Sequence, residues 1–240
     1  MGRLPKTDDF SSSIKLNIVS PPGSDAPTNV LVLLHGLGDT HDSFTNLAKQ
    51  MALPETVGLS IQGPSALLDL GGKHWGDDII FDSTTGGLDP DAGFKQATKM
   101  LKEVVEDVLM GKCGYTPREV VVFGFGQGGM AALELGSSFR DVELGGIISI
   151  GAGLPSDSAT SLDPKSKTPV LVCAGSDQSA VTSTTEDKLK RVFEHVEVTR
   201  YRKPGDTMPA NRDEMMPIMQ FFSRRLRSTK GVPEGAVEMK

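Results

Sequence analysis

At 240 residues the chain has room for one sizeable α/β domain or two small ones. Its formal charge of -6 repels phosphate backbones and argues against nucleic acid as a partner; the one basic cluster, Arg224, Arg225 and Arg227, reads as a solvated helix face. Two cysteines make no disulfide framework, and no apolar run approaches the ~20 residues that span a bilayer.

The first stretch, "MGRLPKTDDFSSS", has no apolar core for a signal peptide, and Lys6 stands where myristoylation needs Ser or Thr. Residues 1–12 are expected to be a flexible arm before a single domain over 13–228, and the protein is expected to be soluble and cytoplasmic. Strand patterns follow at 14–19, 29–35, 57–62, 119–124, 145–151, 168–174 and 196–202. Several are continuous apolar runs, as strands buried on both faces should be. Helical patterns fall between them at 43–52, 92–110, 127–138, 184–194 and 211–227. In 92–110, Ala97, Met100, Leu101, Val104, Val105, Val108 and Leu109 form one core-facing stripe. Such alternation predicts a mostly parallel central sheet with helices on both faces. Residues 63–91 read as a long irregular insertion, of the kind that often binds something. Cys173, inside "PVLVCAG", reads as an inert core thiol. The tail 229–240 lacks periodicity and is expected to be disordered.

The chemistry turns on 119–133, "EVVVFGFGQGGMAAL". Gly124, Gly126 and Gly129 satisfy the dinucleotide fingerprint G-x-G-x-x-G. That reading needs an acid at the end of the next strand to hold the ribose, and Ile150, Gly151, Ala152 and Gly153 supply none. It also needs the first strand of a domain, whereas three strand patterns precede this one. The rival is the nucleophile elbow G-x-S-x-G, with Gly126 in the serine's place. An elbow requires an oxyanion loop after an earlier strand, and "NVLVLLHGLGDT" at 29–40 provides one. The N–H groups of Leu37 and Gln127 are the expected oxyanion donors.

"HGLGDT", "GFGQGG", "GFKQA" at 93–97, His74-Trp75 in "GGKHWGDD" and "EMMPIMQFF" at 214–222 stand in one order. In this the sequence resembles the phospholipase/carboxylesterase family that contains the acyl-protein thioesterases, over about residues 28–227. The resemblance implies an α/β-hydrolase fold, a structural role for His35, and His74 and Trp75 lining the pocket. It also implies where the catalytic residues should be. The nucleophile of the family's "GFSQGG" falls on Gly126. Its aspartate falls on Gln178, or on Asp177 if the loop shifts by one residue. Its histidine falls on Met208, counted either from Gly205 or from Glu214, and no histidine follows His195.

Without the hydroxyl there is no acyl-enzyme, and without an imidazole nothing carries the proton. The expectation is therefore a non-catalytic member that acts by binding or scaffolding, its pocket more apolar and roomier than an active site. Its ligand would be a small acyl or carboxylate molecule, with any protein partner unspecified. The rival expectation is an ester or thioester hydrolase with a rearranged site, using Ser176 or Ser179 with His41 or His74. No cofactor is expected, and no metal-ligand spacing is present. His41 reads as an exposed loop residue and Asp206 as a turn residue.

Overall fold

The computed structural model describes residues 2–23, 27–68, 71–83 and 86–228. Seven strands build the central sheet: β1 (Leu16–Val19), β2 (Asn29–Leu34), β3 (Thr56–Ile61), β8 (Val120–Phe125), β9 (Gly146–Ile150), β10 (Val170–Ala174) and β11 (Val196–Arg200). Their order is β1-β3-β2-β8-β9-β10-β11. Only β1 runs antiparallel, with Leu16 opposite Ile61. Each of the seven follows one of the apolar runs in the sequence. β2, β3, β9 and β10 are buried along their whole length, as parallel strands covered on both faces must be.

Among the described residues five helices cover the sheet: α1 (His41–Met51), α2 (Lys95–Lys102), α3 (Gln127–Ser138), α4 (Ser183–Val192) and α5 (Arg212–Arg225). α1 and α5 lie over one face, where Phe44, Ala48, Ile218, Phe221 and Phe222 pack on Leu31, Leu33, Phe123 and Ile148. α2, α3 and α4 lie over the other, where Leu101, Leu133 and Leu189 meet Val32, Val122 and Val172. The chain beyond α2 continues helically through Glu103–Lys112 in wider turns, closed by Cys113 N–H to the Val108 carbonyl. The expected stripe is buried along both stretches, Met100 only partly. The helix starts are set by side chains: Thr40 caps α1, Thr182 caps α4 and Asn211 caps α5.

Two expectations are corrected. The first residues are no flexible arm from Gly2 onward. Arg3 N–H bonds the Cys113 carbonyl, Arg3 pairs with Asp9 at 2.6 Å, and Phe10 is in the core. Nor is the insertion wholly irregular. It forms two short hairpins, β4 (Ser65–Ala66) with β5 (Lys73–His74) and β6 (Ile80–Phe81) with β7 (Leu88–Asp89). The tail 229–240 lies outside the described residues. Among the described residues no helix is long and apolar enough to cross a membrane.

Candidate functional site

β8 is the fourth of seven strands, so the turn at its end sits mid-sheet on the carboxyl edge. Gly126 there has φ +52 and ψ -120, a combination that a residue with a side chain adopts only under strain. A Cβ placed on it would meet nothing within 4 Å. The flanking glycines serve packing. A Cβ on Gly124 would stand 2.2 Å from the Gly128 carbonyl oxygen, and one on Gly128 would stand 2.4 Å from those of Leu34 and His35. The run of glycines thus lets α3 cross the sheet at close range, a requirement that needs no nucleotide.

α3 opens directly behind Gly126, and its first helical bond is Met130 N–H to the Gly126 carbonyl. The Gln127 N–H therefore precedes the helical ladder. Leu37 N–H, on the loop after β2, has no carbonyl acceptor among the described residues. The Gln127 side chain faces elsewhere: its Oε1 accepts from Trp75 N–H at 2.8 Å, and its Nε2 donates to the Pro90 carbonyl at 2.9 Å. One buried amide thus ties the middle and the end of the insertion to α3. It was expected only as a backbone donor.

His35 holds the loop from below. Its Nε2 accepts from Gly63 N–H at 2.9 Å, so the ring proton is on Nδ1, which donates to the Gly36 carbonyl at 2.7 Å. Burial pulls this imidazole below the usual histidine range. The His35 carbonyl accepts from the Trp75 indole N–H at 2.8 Å, with the two rings 5.3 Å apart. Trp75 is 0% exposed and belongs to the core. The expectation that it lines a pocket is corrected: the indole packs beneath the site, where its N–H finds a backbone acceptor.

His74 does line the cavity, with Leu37, Leu67, Ile80, Leu88 and Gln127. It is buried, and that burial lowers its pKa. The cavity is ≈ 10 Å³, space for about one water and far below the ~300 Å³ at which small-molecule pockets begin. At this position the expected roomy apolar pocket is a small cavity, and the first hairpin settles onto the loop after β2. Gly38 N–H bonds the Lys73 carbonyl, Lys73 N–H bonds the Asp39 carbonyl, and Gly72 lies hard against Gly38.

The other two triad columns lie beyond β10 and β11 on the same edge. Asp177 and Gln178 are both exposed, Gln178 at φ +49, and neither side chain hydrogen-bonds another described residue. Met208 is half-buried against the α1/α5 side of the core, and its carbonyl accepts from Lys203 Nζ at 2.9 Å. Lys203 is held in turn by Glu214 at 2.6 Å, which keeps the Glu214 carboxyl below its ordinary range.

The group that joins these loops is Asp206. Its Oδ1 accepts from Gly175 N–H at 2.9 Å and from Ser179 Oγ at 2.8 Å, and its Oδ2 accepts from Ala180 N–H at 2.8 Å. Its Cβ lies where a side chain on Gly151 would be, 2.4 Å from that imagined Cβ. The turn after β11 thus sends a carboxylate back to the loop after β10. The sequence marks Asp206 only as a turn residue. Its position two residues before the Met208 column was the available signal.

The remaining histidines are placed apart from this bridge. His41 is the first residue of α1 and largely buried, not an exposed loop residue. The His195 carbonyl accepts from Val170 N–H at the start of β10, the opposite edge of the sheet. Neither Ser176, whose hydroxyl donates to the Lys203 carbonyl, nor Ser179 hydrogen-bonds an imidazole. Cys173 is buried in β10, which pushes its thiol up to about 11.

The profile of the phospholipase/carboxylesterase family matches residues 15–226. The chain belongs to this family. An uncharacterized hydrolase of Schizosaccharomyces pombe is 32% identical over 90% of this chain and 91% of its own. Acyl-protein thioesterase 1 of Mycosarcoma maydis is 27% identical over 65% of this chain and 71% of its own. Among solved structures, Zea mays acyl-protein thioesterase 2 superposes with a TM-score of 0.65 at 22% identity, over 89% of this chain and 99% of that one. The Bacillus cereus carboxylesterase gives 0.66 at 17%, over 90% and 96%. The fold is the α/β-hydrolase fold, and the family is one of hydrolases.

Proposed function

We propose that this family member does not hydrolyse esters at the family's site and works by binding. The observation that carries the reading is the elbow itself. Its backbone keeps the geometry that points a nucleophile into open space, and the residue there is Gly126. The Met208 column supplies a thioether instead of a base. Triad members act as a unit, so losing two leaves only the ~10³–10⁴-fold assistance that binding and an oxyanion hole provide. The Leu37 and Gln127 N–H groups remain suited to a carboxylate or acyl carbonyl. The closed cavity beside them takes no acyl chain as it stands, which moves the working part toward the surface of the insertion.

Treatment with a fluorophosphonate probe and assay on short-chain nitrophenyl esters test this. The expected result is no labelling and turnover at buffer background. A labelled serine whose substitution abolishes turnover overturns the reading. Ser179, already 2.8 Å from a carboxylate oxygen of Asp206, is the first place to look.

A further inference from the structure

Three large apolar side chains stand out from the insertion: Leu68 is 61% exposed, Phe81 60% and Ile80 43%. Ile80 and Phe81 are consecutive on β6, so their side chains leave opposite faces of the hairpin. Both are exposed, so neither face of the hairpin is fully packed on the body at this point. Leu68 has φ +45, a left-handed conformation uncommon for leucine, and turns its side chain to water. Grouped apolar side chains left in water mark interaction surfaces more often than chance. Here Ile80 also lines the small cavity beside Leu37 and Gln127, as does Leu67, the neighbour of Leu68.

The sequence of the insertion is mostly negative in charge. Residues 63–91 contain six aspartates and one lysine, with no glutamate or arginine. Asp77 and Asp78 are exposed beside the β6 strand. Asp77 caps α2 through Lys95 N–H and Gln96 N–H at 2.9 and 2.8 Å, so its charge is fixed in place. A partner that buries the apolar groups comes within a Debye length, about 8–10 Å, of this field.

We propose that the outer surface of this insertion docks a segment of a partner protein that carries large apolar side chains flanked by lysine or arginine. The proposal rests on the binding role assigned above and names the class of partner. The charge decides among occupants. An anionic bilayer is repelled by the aspartates that flank the apolar groups. A two-fold pair of copies would set the same aspartates against one another. A basic segment satisfies both features at once, the apolar side chains supplying affinity and the charges supplying orientation and on-rate.

The probe is a fluorescein-labelled dodecapeptide of alternating lysine and leucine with one central phenylalanine, followed by anisotropy on the full chain. Its counterpart has every lysine replaced by glutamate, and vesicles of phosphatidylcholine with and without phosphatidylserine form the lipid arm. Saturable binding of the basic peptide is expected, weakened at least tenfold in a Leu68→Ser/Phe81→Ser double variant and at least fivefold between 50 and 500 mM salt. Both side chains are exposed, so an unchanged melting temperature confirms that the variant folds. Absence of saturable binding, equal affinity for the glutamate peptide, an unaffected double variant, or preference for phosphatidylserine vesicles overturns the proposal. The fluorophosphonate assay on the same samples separates the two readings: a labelled serine with peptide binding intact removes the non-catalytic reading and leaves the surface standing.

Discussion

Replacing Asp206 by alanine removes the acceptor for three hydrogen bonds and leaves Gly175 N–H, Ala180 N–H and the Ser179 hydroxyl to find others. A hydrogen bond to an ionised acceptor contributes about 1.5–3 kcal/mol when buried. This carboxylate is half-buried, and Ala180 is exposed, so water re-solvates part of what is lost. About 1 kcal/mol per bond, or about 3 kcal/mol in all, is the expected loss. For a domain of this size that lowers the melting temperature by about 6–12 °C. Asp206→Asn should cost nearly as much, because an amide offers one acceptor where the loop presents donors to both oxygens. Calorimetry on the two variants reads this directly. A shift under about 1 °C for the alanine variant would show that the carboxylate does not bridge the loops. An unchanged melting temperature with loss of a measurable esterase activity would instead make Asp206 part of an active site.

Gly126→Ser should fold at a cost of about 1–3 kcal/mol, from placing a side chain at φ +52 and ψ -120. It should stay at background on nitrophenyl esters because no base is supplied, and turnover well above background refutes that. Gly72→Ala should lift the first hairpin off the loop after β2, since the new Cβ would sit 2.0 Å from the Gly38 carbonyl oxygen; amide exchange at Gly38 and Lys73 should accelerate, and unchanged protection contradicts it. His35 titrates lower in the folded chain than the ~6.5 of an unfolded histidine. Protonation therefore favours the unfolded state, so stability should be flat above about pH 7 and fall as pH drops below about 6.5. His35→Gln should remove that component of a melting-temperature-versus-pH profile, and an identical slope in the variant refutes the assignment.

The sheet was legible because its information is local. Runs such as "NVLVLL" and "VVVF" are buried on both faces, and each apolar run in the sequence became a strand within a residue or two of its expected ends. α2 was legible as a stripe, but its wider turns after Lys102 were not, since the same residues face the core either way. The hairpins of the insertion were illegible because paired stretches of two residues carry no period. The first dozen residues read as loose because what holds them is distant in sequence: Arg3 bonds Cys113, and Gly2 lies on the Tyr115 ring. Trp75 was ambiguous for a related reason. An indole suits a pocket wall or a core equally well, and only the His35 carbonyl, 40 residues away, decides between them.

Asp206 shows where local reading stops. An aspartate after Pro-Gly carries the same turn signal whether its carboxylate faces water or bridges to a loop some 30 residues earlier in the chain. The same limit applies to Gln127 and His35. Each sits in a motif read for chemistry, and each has its polar atoms engaged by backbone: Trp75 and Pro90 in one case, Gly36 and Gly63 in the other. An active site needs polar groups held in place but left free toward the substrate. At this edge the side chains of Gln127, His35 and Asp206 are held by backbone groups, and the free donors among the described residues are main-chain N–H groups. That division favours a surface kept in shape for contact over a centre poised for proton transfer. It also means that restoring a serine at 126 and a histidine at 208 would leave the loop after β10 tied to Asp206, with Asp177 and Gln178 both exposed.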